Sequence, residues 1–527
     1  MMQNIWFAAE ENMGSVMSDG PTYSANEFSH PDPRLKDGVR GRTHLHSDQS
    51  SQVRTREIAM NALSAAPHYL ELSELAERLK TRAVSPVGIT HALLDRISRL
   101  DRSLNAFALV TADDAIEQAQ IAEAEIMGGH YRGPLHGVPL AVKDLCWSGG
   151  HPTAAGMSIH QHFCPSEDST VVHRLKKAGA ILLGKLQLTE GAYSDHHPSI
   201  TPPKNPWNPD YWPGISSSGP GAATAAGLCY GAIASDTGGS IRWPSAANGV
   251  TGLKPTWGRV SRYGVFELAA SLDHIGPMAR SARDCALILA AIAGSDPKDP
   301  TAMLDPVPDF PEQAGQGVRG LRIGVDPAWN GHDVDPAVQA VLAQAAEVFH
   351  SLGALIMEVT FPDVGQTIAD WAPNCAVEAA VAHEATYPVR KAEYGQVLAS
   401  VLDNGRALSG MEYQKILLRR LELRGRVAAL FGTIDLLLTP VHPFGPLSLE
   451  MIQTLGEQPD LIFKLQRYTC PFNMTGSPTI TLPGGVTDAG LPIAFQLVAA
   501  HMGEPALLRA GTAFQSATGW HRRHPLA

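Results

Sequence analysis

Gly214 to Ser245 reads GISSSGPGAATAAGLCYGAIASDTGGSIRWPS, with glycine, alanine and serine almost to the exclusion of large side chains. It holds a serine cluster, Ser216-Ser217-Ser218, and an isolated Ser240, with no histidine among them. A serine hydroxyl is a weak nucleophile. It needs a base within hydrogen-bond reach, and donors for the oxyanion that forms when it attacks a carbonyl. Gly238-Gly239 precedes Ser240, removes side chains where a carbonyl would approach, and lets successive backbone N–H groups turn toward one point. A tight turn ended by a capping serine has the same composition. If the stretch carries chemistry, the fold must deliver a base from elsewhere in the chain. Asp236 and Arg242 flank the loop and are expected to pair structurally.

HGVPLAVKDLCWSGG offers a base. Lys143 follows the apolar run Val138 to Val142. Burial there would penalise the ammonium form and lower the pKa, so that the neutral amine could take a proton. A lysine snorkelling from a strand end is the alternative.

Seven short apolar runs have strand character: VPLAVKDL, GAILLGK, LRIGV, GALIMEV, DLLLTP, PTITLP and IAFQLV. Helical patterns alternate with them. Leu72, Leu75, Ala76 and Leu79 recur at i, i+3, i+4 and i+7, and DPAVQAVLAQAAEVFHSLG is a second example. The alternation predicts an α/β protein with a mixed or largely parallel sheet. No Pro/Gly/Ser linker divides the chain, so residues 68–527 read as one domain behind a polar, loosely ordered extension over 1–67. His44 and His46 in that arm read as a solvated pair.

The formal net charge of −11 argues against nucleic acid or an anionic membrane as partner, since both select basic surfaces. Six scattered cysteines without a CxxC read as reduced thiols of a cytoplasmic protein. No apolar run approaches the length of a membrane span, and the N-terminus lacks the pattern of a signal peptide. Two motifs fail on inspection. GAILLGKL ends in Leu186, which has no hydroxyl for magnesium, and its apolar residues describe a strand. VAHEATY lacks the second histidine of a zinc helix. No metal or organic cofactor is expected.

GPLHGVPLAVKDL, NPWNPDYWPGISSSGPGAATAAG, SDTGGSIRWPSAANGVTGLKPTWGRVS and LDHIGPMARSARD together resemble the amidase signature family, as do PFNMTGSPTITLPGGVTDAGLPIAFQLV and HRRHP near the C-terminus. The motifs keep the family's order and spacing over roughly residues 70–525, with Ser216 and Ser240 24 residues apart (240 − 216). The resemblance implies a large mixed sheet covered by helices on both faces, and a Ser-cisSer-Lys triad. In it Ser240 is the nucleophile, Ser216 the bridging serine with a cis peptide bond before it, and Lys143 the base. It also implies an oxyanion hole from the backbone N–H groups of Thr237, Gly238, Gly239 and Ser240, with Ser217, Asp236 and Arg242 in support. Gly191, Ala192 and Tyr193 are implied to lie by the acyl side. His196 and His197 read as a loop pair at the pocket edge. One stretch departs from the family. Its usual Gly-Gly-Ser-Ser-Gly-Gly-Ser is here Gly214-Ile215-Ser216-Ser217-Ser218-Gly219-Pro220, which bears on substrate choice more than on the triad.

The activity implied is hydrolysis of a small-molecule amide, anilide or carbamate through a serine acyl-enzyme, leaning toward a bulky apolar or aryl group. Trp371, Tyr387, Phe463 and Tyr468 read equally as wall of such a pocket or as core. Two alternatives stay open: the amidase subunit of a glutamine-dependent tRNA amidotransferase, and a catalytically silent binding relative. A homo-oligomer is also left open.

Overall fold

In the computed structural model, residues 66–525 are described. Nearly all of the polar arm, with His44 and His46, lies outside them. The seven apolar runs all form strands, and four further strands join them in one eleven-stranded mixed sheet. The strands are β1 (Phe107–Val110), β2 (Pro139–Lys143), β3 (Ile181–Leu186), β4 (Gly231–Asp236), β5 (Thr251–Lys254), β6 (His274–Ala279), β7 (Arg322–Val325), β8 (Leu355–Glu358), β9 (Leu436–Pro440), β10 (Thr479–Val486) and β11 (Pro492–Ala499). Their spatial order is β1-β3-β2-β4-β6-β5-β10-β11-β9-β7-β8. Pairing is parallel in β3-β2-β4 and in β9-β7-β8, and antiparallel elsewhere. Seventeen α-helices accompany the sheet among the described residues.

The central strands are buried at every position, as in β2, β3, β4, β6, β9 and β11. Burial on both faces explains why they read as continuous apolar or small-residue runs instead of alternating ones. GAILLGKL is part of this layer, as β3, and forms no phosphate loop. The edge strand β8 is exposed throughout.

The helix Leu72–Lys80 buries Leu72, Leu75, Ala76 and Leu79, the four residues whose spacing marked it. The Asp284 carboxylate accepts from the N–H groups of Leu72 and Ser73, both at 3.0 Å, and so satisfies free donors at the helix start. The chain's far end returns to the same place, with Arg522 and His521 on Glu71 and the His524 ring stacked on Tyr69. No cysteine is in a disulfide, and five of the six are buried. Among the described residues no helix is long and apolar enough to cross a membrane.

The small-residue stretch threads the middle of this layer. It forms the helix Ser218–Ala225, then β4, then the helix Arg242–Asn248, buried almost throughout. Its small side chains allow this. A Cβ on Gly219 would fall 2.5 Å from the carbonyl oxygens of Ala106 and Gln187.

Candidate active site

β2 and β4 run parallel as neighbours, with Ala141 opposite Ala232 and Val142 opposite Ile233. Their C-terminal ends therefore lie together, and Lys143 at the end of one meets Ser235 near the end of the other. The Lys143 ammonium donates to three hydroxyls: Ser216 Oγ at 2.7 Å, Ser235 Oγ at 2.8 Å and Ser217 Oγ at 2.9 Å. Lys143 is fully buried. Burial brings its pKa down to about 7, against the opposing attraction of Cys146, Asp236 and Asp273. The Ser217 hydroxyl donates to the Ser235 carbonyl at 3.1 Å. The peptide bond between Ile215 and Ser216 is cis.

Ser240 sits in the loop that leaves β4 and is 7% exposed. Among the described residues its hydroxyl has no hydrogen-bond partner. Lys143 thus contacts Ser216 directly, while Ser240 stands apart with its oxygen unengaged.

Asp236 organises the loop. Its carboxylate accepts from the N–H of Gly239 at 2.9 Å and of Ile241 at 3.0 Å. It receives both arms of Arg242, Nε at 2.9 Å and Nη2 at 2.8 Å. Both residues are wholly buried, and the guanidinium holds the Asp236 carboxyl well below the usual range against the opposing effect of burial. The Gly239 N–H, one of four donors expected for an oxyanion, is thus already engaged by a carboxylate. The N–H groups of Thr237, Gly238 and Ser240 carry no such bond.

The glycine pair also makes room for two tryptophan rings. A Cβ on Gly238 would lie 2.4 Å from the Trp371 ring, and one on Gly239 2.5 Å from the Trp243 ring. Gly239 has φ +145°, which side-chain-bearing residues rarely adopt. The Cβ positions of the two glycines are thus occupied by tryptophan rings. Trp371 also donates its indole N–H to the Thr237 carbonyl at 2.9 Å. The Thr237 hydroxyl donates to Asp273 at 2.6 Å, and burial raises the Asp273 carboxyl to about 6.

A cavity of about 700 Å³ opens nearby, with Gly191 and Ala192 on its wall. Tyr193, expected beside them, is packed in the main apolar core and does not line it. Neither does His196, which lies near Ser218, nor His197, which bonds Ser199. The wall includes Leu145, Trp147, Met157, Tyr263, Val265 and Phe266. Trp371, Tyr387, Phe463 and Tyr468 are all absent from it. Tyr387 and Tyr468 are core, and Phe463 is 41% exposed. A smaller void of about 10 Å³ shares Leu145, Ala192 and Phe266 with the cavity and reaches Ser235 and Thr237. Lys143, Ser216 and Ser240 line neither space.

Sequence reasoning missed Ser235, Asp273 and the aromatic wall of Trp147, Tyr263 and Phe266. The only signal for Ser235 is its place one residue before Asp236, near the end of a strand beside the lysine strand. Among the described residues no group of histidine, cysteine and acidic side chains could hold a metal ion.

A family model described as Amidase matches residues 88–508. The Mycobacterium tuberculosis protein named "Putative amidase AmiD" is 46% identical over 457 residues, covering 86% of this chain and 96% of its own length. A glutamyl-tRNA(Gln) amidotransferase subunit from a Geobacter species is 37% identical over 485 residues, covering 87% and 99% respectively. Among solved structures, a bacterial aryl acylamidase belonging to the amidase signature enzymes superposes with a TM-score of 0.77 at 26% identity, covering 87% of this chain and 99% of that one.

Proposed function

The chain belongs to the amidase signature family and hydrolyses carbon–nitrogen bonds, and from this premise we propose a serine acyl-enzyme mechanism on a bulky apolar or aryl amide, anilide or carbamate. The observation that carries the mechanism is the 2.7 Å contact between the buried Lys143 amine and the Ser216 hydroxyl. An amine with a pKa of about 7 is partly neutral at neutral pH, which is what a proton acceptor requires.

In the proposed path, Ser240 Oγ attacks the substrate carbonyl. Its proton passes to Ser216 Oγ as the Ser216 proton passes to Lys143 Nζ. The carbonyl oxygen becomes an oxyanion, met by loop N–H groups not already held by Asp236, those of Gly238 and Ser240 foremost. As the tetrahedral intermediate collapses, the C–N bond breaks, and the leaving nitrogen takes a proton back from Lys143 through Ser216. An amide nitrogen departs poorly as an anion, so this return is as necessary as the first transfer. Water then attacks the ester by the same relay and frees Ser240. The aromatic wall of the cavity supports an aryl or otherwise bulky apolar substrate part, and the aryl acylamidase named among the similar structures fits that preference.

The test is intact-mass labelling with a fluorophosphonate, with wild type compared against Ser240→Ala. A single adduct on wild type that vanishes in the variant is expected. No adduct on folded wild type would sink the mechanism. The 37% identity to a chain of an amidotransferase favours a second reading for that case. Copurification of a partner chain would then support a subunit that releases ammonia for use elsewhere.

A further inference from the structure

Two acids stand on the wall of the 700 Å³ cavity, Glu267 and Asp299. Asp299 is buried and engaged: its carboxylate accepts from the Arg262 N–H at 2.7 Å, and from the Thr301 N–H and hydroxyl at 2.9 and 2.6 Å. Glu267 is different. It lines both the cavity and the smaller void, and its side chain is 44% exposed. Its Oε1 accepts from Arg262 Nη1 at 2.8 Å, while Oε2 has no hydrogen-bond partner among the described residues.

The charges around Glu267 do not cancel. The Arg262 guanidinium that it meets also faces the carboxylates of Asp299 and Asp273 and favours their ionised forms. Asp273, at about 6, is still ionised at neutral pH. Three carboxylates thus share one guanidinium. Lys298, the other cation of the wall, does not make up the difference, because Glu167 takes its ammonium at 2.6 Å. Arg390, the cation felt by His160, is held by both oxygens of Glu393 at 2.6 Å. Burial keeps His160 and His383, the two histidines of the wall, below their ordinary value, so neither adds charge at neutral pH. A cleft with an excess of one sign and apolar walls concentrates the opposite charge.

The apolar part of the wall suits the same ligand. Trp147 meets Tyr263 and Phe266 edge-on, with centroids 6.4 and 6.5 Å apart. Aromatic faces attract cations, and one does so here already: Lys298 Nζ lies 4.6 Å from the Tyr263 ring centroid. The smaller void reaches Ser235, whose hydroxyl takes a bond from Lys143, so a group held by Glu267 would lie beside the catalytic cluster and not in it. We propose that this cavity binds an aromatic part of the substrate that carries an ammonium group, and that Glu267 Oε2 selects it by accepting an ammonium N–H. The proposal rests on the amide-hydrolase reading of the neighbouring serines and narrows its substrates to cationic aryl amides.

Isothermal titration at neutral pH tests it in a Ser240→Ala background, where ligands are not turned over. The ligands are acetanilides and benzamides with a ring aminomethyl group, against those with a hydroxymethyl group at the same ortho, meta or para position. The hydroxymethyl group is of similar size and also donates, but carries no charge. At least one aminomethyl isomer should bind about tenfold more tightly than its hydroxymethyl partner, the scale of one charge-assisted hydrogen bond. Glu267→Gln keeps the shape and an acceptor for Arg262 and removes the charge, and should reduce that ratio to about twofold or less. A ratio that survives Glu267→Gln overturns the proposal. So does the lack of an ammonium preference at every ring position, or a carboxymethyl isomer bound as tightly as the aminomethyl one. Where Glu267→Gln gives no cooperative thermal melt, Glu267→Ala decides by the same ratio. Fluorophosphonate labelling of the chain with Ser240 intact reads the serine mechanism separately. Labelling without an ammonium preference overturns the role of Glu267 alone. An ammonium preference that Glu267→Gln removes, in a chain that does not label, supports the role of Glu267 and overturns the serine mechanism.

Discussion

Lys143→Ala is expected to lower kcat/KM for an anilide by at least about 10³-fold, with KM changed far less, because the loss falls on proton transfer in the transition state. Ser216→Ala should cost less than Ser240→Ala, since water can stand in for a shuttle but not for the nucleophile. In the wild type, kcat/KM should rise with pH through about 7 and then level, as the lysine loses its proton. The same lysine gives a second readout of opposite direction. Its pKa is lower in the folded chain than in the unfolded one, so folding is penalised whenever the unfolded lysine is protonated. The penalty is absent above about pH 10.5, the ordinary lysine value. It grows as pH falls toward 7 and is constant below that. Lys143→Met should therefore be inactive yet more resistant to urea than wild type, with a margin that widens from pH 10 to pH 7. A residue held only for structure would give the reverse, a less stable variant. Turnover near wild type in Lys143→Ala would refute the assignment of the base.

How much of this was legible from the residues depends on where each one sits. The strands that could be read, such as β9 and β11, carry leucine, valine and phenylalanine in runs. Four could not. β4 is GAIASD and β6 is HIGPMA, both buried on every side. Packed from both faces in a crowded centre, they are made of small and mixed residues, so neither alternation nor bulk betrays them. β5, TGLK, and β1, FALV, are simply short. The candidate site was legible in its reactive atoms because lysine and serine are unusual amid apolar and glycine-rich sequence. Its surroundings were not. Trp371 reaches Gly238 across 133 residues (371 − 238), and no local pattern announces such a contact. The cavity wall joins residues near 145–160, 262–267 and 382–386, which only the folded sheet brings together.

Asp236→Ala is expected to destabilise the protein by about 3–5 kcal/mol, the range for a buried ion pair broken on one side. The reason is what remains behind. Arg242 would keep its bonds to the Thr469 carbonyl at 2.9 Å and to Asn473 Oδ1 at 2.5 Å, but its charge would face no anion in a fully buried site. The N–H groups of Gly239 and Ile241 would lose their acceptor, and Asn473 Nδ2 one of its partners. Asp236→Asn keeps the shape and one acceptor, and should fall between. Arg242→Met combined with Asp236→Leu removes both charges and should restore part of the stability lost in Asp236→Ala, the part due to the unpaired guanidinium, while the Gly239 and Ile241 N–H groups stay without their acceptor. Urea titration of the four proteins gives the stabilities. The fluorophosphonate rate gives the consequence for chemistry. The loop that holds Ser240 is tied to Asp236 at Gly239 and Ile241, on either side of the serine. Once those ties are gone, Ser240 should react more slowly even in the double variant that regains stability. A double variant that is both stable and labelled at the wild-type rate would show that the ion pair supports the fold alone. Slow labelling in a stable protein would show that Asp236 positions the nucleophile through the backbone on both sides of it.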